Sequence, residues 1–188
     1  MKNDLNNNDL MNEGFIMSLR TRLRETDDLY LASYIPADES LLFQAWQDLA
    51  TKEGFNFERQ ESYDEFCRRP IRSRFLLSVI RQADEVVLGF IFLSPEDSPP
   101  DLAIIMRPEH RGQGYGSQAY ELALDHCFEQ LDLSEVYAGC YEGNVASQAM
   151  LKRLGFVRHP SGDCFEKHYR TGDDRRQLDY VKYRADLG

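Results

Sequence analysis

Three glycines fall within five positions, Gly112, Gly114 and Gly116, in the stretch "MRPEHRGQGYGSQAYE" (106–121). Glycine loses more conformational freedom on folding than any other residue, so such a cluster means that something approaches the backbone closely. Before it, "DLAIIM" (101–106) reads as a buried strand. After it, Ala119, Leu122, Ala123, Cys127 and Leu131 recur at helical spacing. A strand that turns through glycines into a helix leaves free amides at the helix N-terminus, with the helix dipole behind them. That is a ready site for an anion such as a pyrophosphate. The two commonest phosphate motifs do not fit: no lysine follows the glycines as in a P-loop. A dinucleotide fingerprint would need a third glycine where Ser117 stands, and would come early in the chain.

The rest of the chain predicts a mixed α/β (α+β) domain. "SLRTRLRE" (18–25) alternates as a half-buried strand. Asp27 to about Lys52 reads as helical, broken near "YIPADES", where Pro36 ends one helix and Asp38 or Ser40 caps the next. "SYDEFCRRP" (62–70) reads as a short helix stopped by Pro70. "SRFLLSVIR" (73–81) and "EVVLGFIFLS" (85–94) read as a hairpin, "EVYAGCY" (135–141) as a strand, and Asn144 to Leu154 as a capped helix with Gly155 behind it. "CFEKHYR" and "QLDYVKYR" close the chain as a second hairpin. Strands outnumber helices and alternate with them only in the middle, which favours a mixed sheet with helices on both faces. Residues 1–16, rich in Asn, read as a polar tail, and 17–188 as one domain.

Charge and cysteines narrow the function. The net charge is −10, and residues 25–65 carry eleven carboxylates against Lys52 and Arg59, nine of the ten net negative charges. No basic face is offered to nucleic acid. No apolar run approaches the roughly 20 residues of a membrane span, and the polar, acidic start is not a secretory signal, so the cytoplasm is the expected compartment. Cys67, Cys127, Cys140 and Cys164 are scattered and form no CxxC pair, so no metal site is expected and the thiols read as reduced and mostly buried.

The segment "IIMRPEHRGQGYGSQAYELAL" resembles the [Q/R]xxGx[G/A] signature of the GNAT superfamily of N-acetyltransferases, with its fourth strand, pyrophosphate loop and following helix. "NVASQAMLKRLGF" resembles the family's next segment, and "LRTRLRETDD" the first strand of the branch that includes ribosomal-protein N-terminal and polyamine acetyltransferases. The resemblance implies acetyl-CoA as cosubstrate and a mostly antiparallel mixed sheet whose fourth and fifth strands, here "DLAIIM" and "EVYAGCY", splay into a V. The pantetheine arm would enter the V and pair with backbone near Ile104 and Met106. The pyrophosphate would meet amides of Arg111, Gly112, Gln113, Gly114, Tyr115 and Gly116, with Asn144 bonding the pantetheine arm as well as capping its helix. Tyr115's side chain reads as helix packing.

Acetyl transfer to an amine requires that the amine lose a proton, that the oxyanion find donors, and that the leaving thiolate be stabilised. Many members of the family use a tyrosine seven residues after the asparagine; here that position is Leu151. Ser147 matches the serine of the ribosomal-protein branch and is the candidate donor to the thiolate. Asp101 is the candidate base, with Glu142 and Glu166 as alternatives; His110, beside the pyrophosphate loop, is a poor one. A GNAT fold that holds acyl-CoA without turnover is the alternative that the missing tyrosine leaves open. The segment after the first strand walls the acceptor side in this family. The acidic block therefore predicts a cationic acceptor, a small molecule or a peptide amine, with Glu58, Glu61, Asp64 and Glu65 near its mouth. The assembly is left open, a homodimer included.

Overall fold

The computed structural model describes residues 20–185; the polar tail expected over 1–16 lies outside them. Strands β1 (Arg22–Glu25), β2 (Leu29–Ser33), β3 (Phe75–Arg81), β4 (Val87–Leu93) and β5 (Leu102–Met106) form one antiparallel sheet in that order. In a second sheet, β9 (Asp174–Tyr183) runs between β6 (Glu135–Tyr141) and β7 (Val157–Arg158), and β8 (Cys164–Lys167) also pairs with β9. The sheets meet at a single parallel bridge between Asp101 and Tyr137, where the Tyr137 amide donates to Pro100 O at 2.8 Å.

The reading of 27–52 as helical is corrected at its start: Leu29–Ser33 is a strand. Leu29 and Leu31 face the core beneath α4 (Tyr115–Glu129) and α5 (Val145–Arg153). Tyr30 and Ala32 face the opposite core, with Trp46, Phe90 and Ile105. A strand buried on both faces loses the apolar–polar alternation that marks a strand in sequence. Pro36 does not end a helix but opens a single turn, Pro36–Asp38. The Asp38 carboxylate does not cap the next helix; it is buried, held by Arg20 and by the Ser78 hydroxyl at 2.6 Å.

Helices α1 (Glu39–Gln47), α2 (Leu49–Phe55) and α3 (Tyr63–Arg68) cover the second face. They are separated by caps written in the sequence. Asp48 accepts from the Thr51 amide at 2.9 Å, and Ser62 and Glu65 form a capping box on α3. Helices therefore lie on both faces, as the pattern predicts. Of the four thiols, Cys127 and Cys140 are buried, Cys67 half-buried and Cys164 exposed, so fewer are buried than expected. No helix among the described residues is long and apolar enough to cross a membrane.

Candidate active site

Beyond the Asp101–Tyr137 bridge β5 and β6 diverge, and a cleft of about 780 Å³ opens between them. Hydrogen-bond parity shows what its walls offer. The Ser94 amide donates to Asp101 O and the Arg107 amide to Leu88 O, each at 2.9 Å. In an antiparallel ladder successive residues turn their backbone groups to opposite sides. Asp101, Ala103, Ile105 and Arg107 therefore face β4, while Leu102, Ile104 and Met106 face the cleft. On the other wall, Glu142 N donates to Arg176 O at 3.0 Å, which turns Gly139 and Tyr141 toward β5. Leu102 O is taken by the Tyr120 hydroxyl, Met106 O by Arg111 Nε at 2.9 Å, and Tyr141 O by the Asn144 amide at 2.8 Å. Among the described residues, Ile104 keeps both backbone groups open, and Met106 its amide. Of the two residues expected to pair with the pantetheine arm, Ile104 is thus the fuller partner.

The cleft runs from the V to the glycine loop. Gly112 (φ 73°) and Gly114 (φ 87°) are left-handed, a conformation that a side chain strains. An added Cβ at either meets nothing within 4 Å, so the space above the loop is open. Gly116 differs: a Cβ there would meet the Met106 side chain at 3.4 Å, an ordinary packing distance. Among the described residues, no protein group accepts from the amides of Gly112 through Gly116, and α4 has no side-chain cap. These are donors left for an anion. Gln113 points away, its amide donating to Glu109 O at 3.0 Å, and Tyr115 packs on the core, as its helical position implies. Arg153 lies on the cleft wall and bonds Ser117 at the start of α4, adding a cation that sequence reading missed. Burial holds the His110 imidazole below its usual range, so it is neutral at physiological pH.

Asn144 caps α5, its Oδ1 accepting from the Ser147 amide at 3.1 Å, and both residues line the cleft. Leu151, where a tyrosine was looked for, also lines it while 2% exposed. Of the three carboxylates weighed as bases, only Asp101 lines the cleft. Glu166 accepts from the Tyr141 hydroxyl and from Asn56 Nδ2 at 3.3 Å, and Glu142 faces Arg176 at 3.7 Å. Among the described residues the Asp101 carboxylate has no hydrogen bond or ion pair. Burial by surrounding protein, and then the charge of Asp179, push it up to about 6. By surface area the residue is exposed; water reaches it from the cleft, so that full displacement is an upper bound.

The acidic block does not form the mouth as expected. Glu58 pairs with Lys52 at 2.7 Å, Glu61 with Arg59 at 2.5 Å and Arg69 at 3.4 Å, and Glu65 is engaged in the α3 cap. Neither these three nor Asp64 lines the cleft. The block instead contributes Ala50, Thr51, Gly54 and Phe55 of α2. Part of its charge is met by the block's own Lys52 and Arg59, and part by arginines from elsewhere in the chain. Glu53 is ringed by His168, Arg170 and Arg175, and Asp48 is paired with Arg111 at 2.7 Å. Burial would raise the Asp48 carboxyl, but hydrogen bonds from Arg111 and Thr51 outweigh it and hold it low.

Comparison with known proteins bears on the fold and the family. Spermidine N(1)-acetyltransferase of Vibrio cholerae is 25% identical over 118 residues, 61% of this chain and 65% of that one. The chain spans between 34% and 65% of the lengths of the curated relatives it matches. Among solved structures, a Vibrio cholerae spermidine N-acetyltransferase in complex with CoA and spermine superposes with a TM-score of 0.72 at 19% identity, covering 84% of this chain and 96% of that one. The ribosomal-protein-S5-alanine acetyltransferase of Vibrio fischeri superposes with a TM-score of 0.70 at 14% identity, covering 89% and 99%. At those identities the likeness is one of fold. The acetyltransferase (GNAT) domain profile matches residues 28–157, the span from β2 through the splayed strands and glycine loop to β7, and the chain belongs to the GNAT acetyltransferase family.

Proposed function

We propose that the protein is an acetyl-CoA-dependent N-acetyltransferase whose acceptor is a small cationic primary amine. The observation that carries this reading is one continuous cleft. At one end lie the unpartnered amides of Gly112–Gly116, in the middle the open backbone groups of Ile104, and at the far end the unpaired carboxylate of Asp101. The loop amides and helix dipole suit a pyrophosphate. Ile104 suits the amide-bearing pantetheine arm, with Asn144 beside it. The Asp101 carboxylate attracts the ammonium group and takes its proton. The neutral amine then attacks the thioester carbonyl carbon, the oxyanion draws on backbone amides of β5, the carbon–sulfur bond breaks, and the surplus proton on the new amide nitrogen ends on the departing sulfur. The Ser147 hydroxyl donates a hydrogen bond to the departing thiolate.

A polyamine acceptor is supported by the spermine held by the Vibrio cholerae neighbour and by a solitary carboxylate in an open cleft. The test is release of free thiol from acetyl-CoA across polyamines, aminoglycosides and peptides with free N-termini. Release with polyamines above the other classes supports the reading. CoA binding without release for any amine favours the alternative, a CoA-holding module, for which buried Leu151 in the tyrosine position speaks.

A further inference from the structure

Arg111 opens the glycine loop, yet its side chain turns away from it. Nε donates to Met106 O at the end of β5 (2.9 Å). Nη2 donates to the Thr51 hydroxyl (2.9 Å) and lies 2.7 Å from Asp48 Oδ2. Asp48 and Thr51 form the cap and first turn of α2, whose Ala50, Thr51, Gly54 and Phe55 line the cleft. One guanidinium therefore joins a strand end, the anion loop and the first turn of the helix that walls the other side. The far end of α2 is tied down separately. Asn56 bonds Lys167 O and the Tyr169 amide, and Glu53 pairs with His168 at 3.0 Å. Phe55 also packs on Trp46 and Phe92, but of the polar attachments at the two ends of this short helix only the Arg111 one leads to the loop that receives an anion.

We propose that Arg111 is a positioning residue that couples the two substrate sites: pyrophosphate seated on the loop amides fixes Arg111, and Arg111 fixes α2 as the acceptor wall. A loop with left-handed glycines and unpartnered amides gains order when an anion fills it, and that order passes along a fork of three short contacts. A point cation cannot replace it, because lysine has no planar fork to serve Met106, Thr51 and Asp48 together. The acceptor therefore binds better after acetyl-CoA than before it, by roughly fivefold or more. The kinetic part of this inference rests on the N-acetyltransferase reading; the structural part does not.

The test uses Asp48→Asn, since asparagine caps a helix as well as aspartate does but carries no charge for Arg111, together with Arg111→Met. CoA is added to each protein without acceptor, and amide hydrogen exchange is followed. In the wild type, CoA slows exchange both in the loop and across 50–55. In either variant with CoA bound, only the loop and the start of α4 slow. With an amine acceptor and saturating acetyl-CoA, each variant raises the acceptor KM by roughly fivefold or more, and the double variant is no worse than the worse single one. Protection of 50–55 by CoA that persists in Asp48→Asn, or losses that add in the double variant, overturns the coupling. A wild type that releases no thiol with any amine overturns the activity instead, and the exchange measurement still decides the coupling.

Discussion

Replacing Asp101 by asparagine sets activity against stability. In an unfolded chain this carboxyl ionises near 3.8; in the fold, burial and Asp179 push it up to about 6. A raised acid binds its proton more tightly folded than unfolded, so its ionised form costs folding free energy. That cost is fully present above about pH 6, shrinks as pH falls toward 4, and vanishes below. Taken whole, the displacement corresponds to about 3 kcal/mol. The side chain is exposed to the cleft, so solvent screening leaves about 1 kcal/mol. For a chain of this size that is a rise in Tm of about 2–4 °C for the variant near neutral pH.

Thermal melts at about pH 7.5 and about pH 4 read the difference: the asparagine variant melts higher at the first and level with the wild type at the second. Thiol release moves the other way. The wild-type acceptor kcat/KM rises as pH passes about 6, and the variant loses roughly 100-fold or more with that limb of the profile gone. A variant that melts lower than the wild type near neutral pH, or that acetylates at the wild-type rate, refutes the assignment of Asp101 as the strained base.

Gly114→Ala places a methyl group in left-handed backbone and in the open space over the loop; it weakens CoA by about tenfold or more in calorimetry while leaving S-acetylpantetheine, which has no pyrophosphate, unaffected. Equal losses for both ligands would move the pyrophosphate elsewhere. Reversing Glu58 and Glu65 to lysine changes acceptor kcat/KM by less than about twofold at physiological salt, because neither lines the cleft. A larger, salt-sensitive loss would return the acidic block to the acceptor mouth.

What the sequence discloses and what it hides divide along contact range. The glycine loop was legible because its requirement is local: left-handed backbone at Gly112 and Gly114 next to a helix start needs those residues in that order. The Asn144 cap of α5 was legible for the same reason. Strand β2 was not, because two cores bury it from both sides and leave a plain apolar run. The acidic block was misjudged because Glu58, Glu61 and Glu65 are engaged locally away from the cleft, while the partners of Glu53 and Asp48 come from far along the chain. His168, Arg170 and Arg175 lie more than a hundred residues from Glu53, and Arg111 sixty-three from Asp48. A charge count along the chain treats Glu53 and Asp48 as free; the fold pairs them. Asp101 shows the reverse, a single acid in an unremarkable strand start that gains its character only from the protein packed around it.

The absent tyrosine offers the sharpest test of how the leaving thiolate is treated. Ser147 and Leu151 stand four residues apart on α5, hence on one face, and both line the cleft. A phenol at 151 would reach the same region of the cleft as the Ser147 hydroxyl, so the two positions are alternative sources of one donor. Ser147→Ala is expected to lower kcat by about 10–1000-fold with little change in CoA affinity, since a donor to developing charge acts in the transition state. Leu151→Tyr alone overfills a site that is 2% exposed. It costs about 1–3 kcal/mol and lowers Tm by several degrees. In the double variant the phenol replaces the lost hydroxyl, and kcat recovers by about tenfold or more over Ser147→Ala, although the protein is less stable. Recovery of rate against a loss of stability cannot come from repair of the fold. A folded double variant that binds CoA normally and remains as slow as Ser147→Ala shows that position 151 cannot supply the donor, whereas a wild-type kcat in Ser147→Ala leaves the thiolate to solvent.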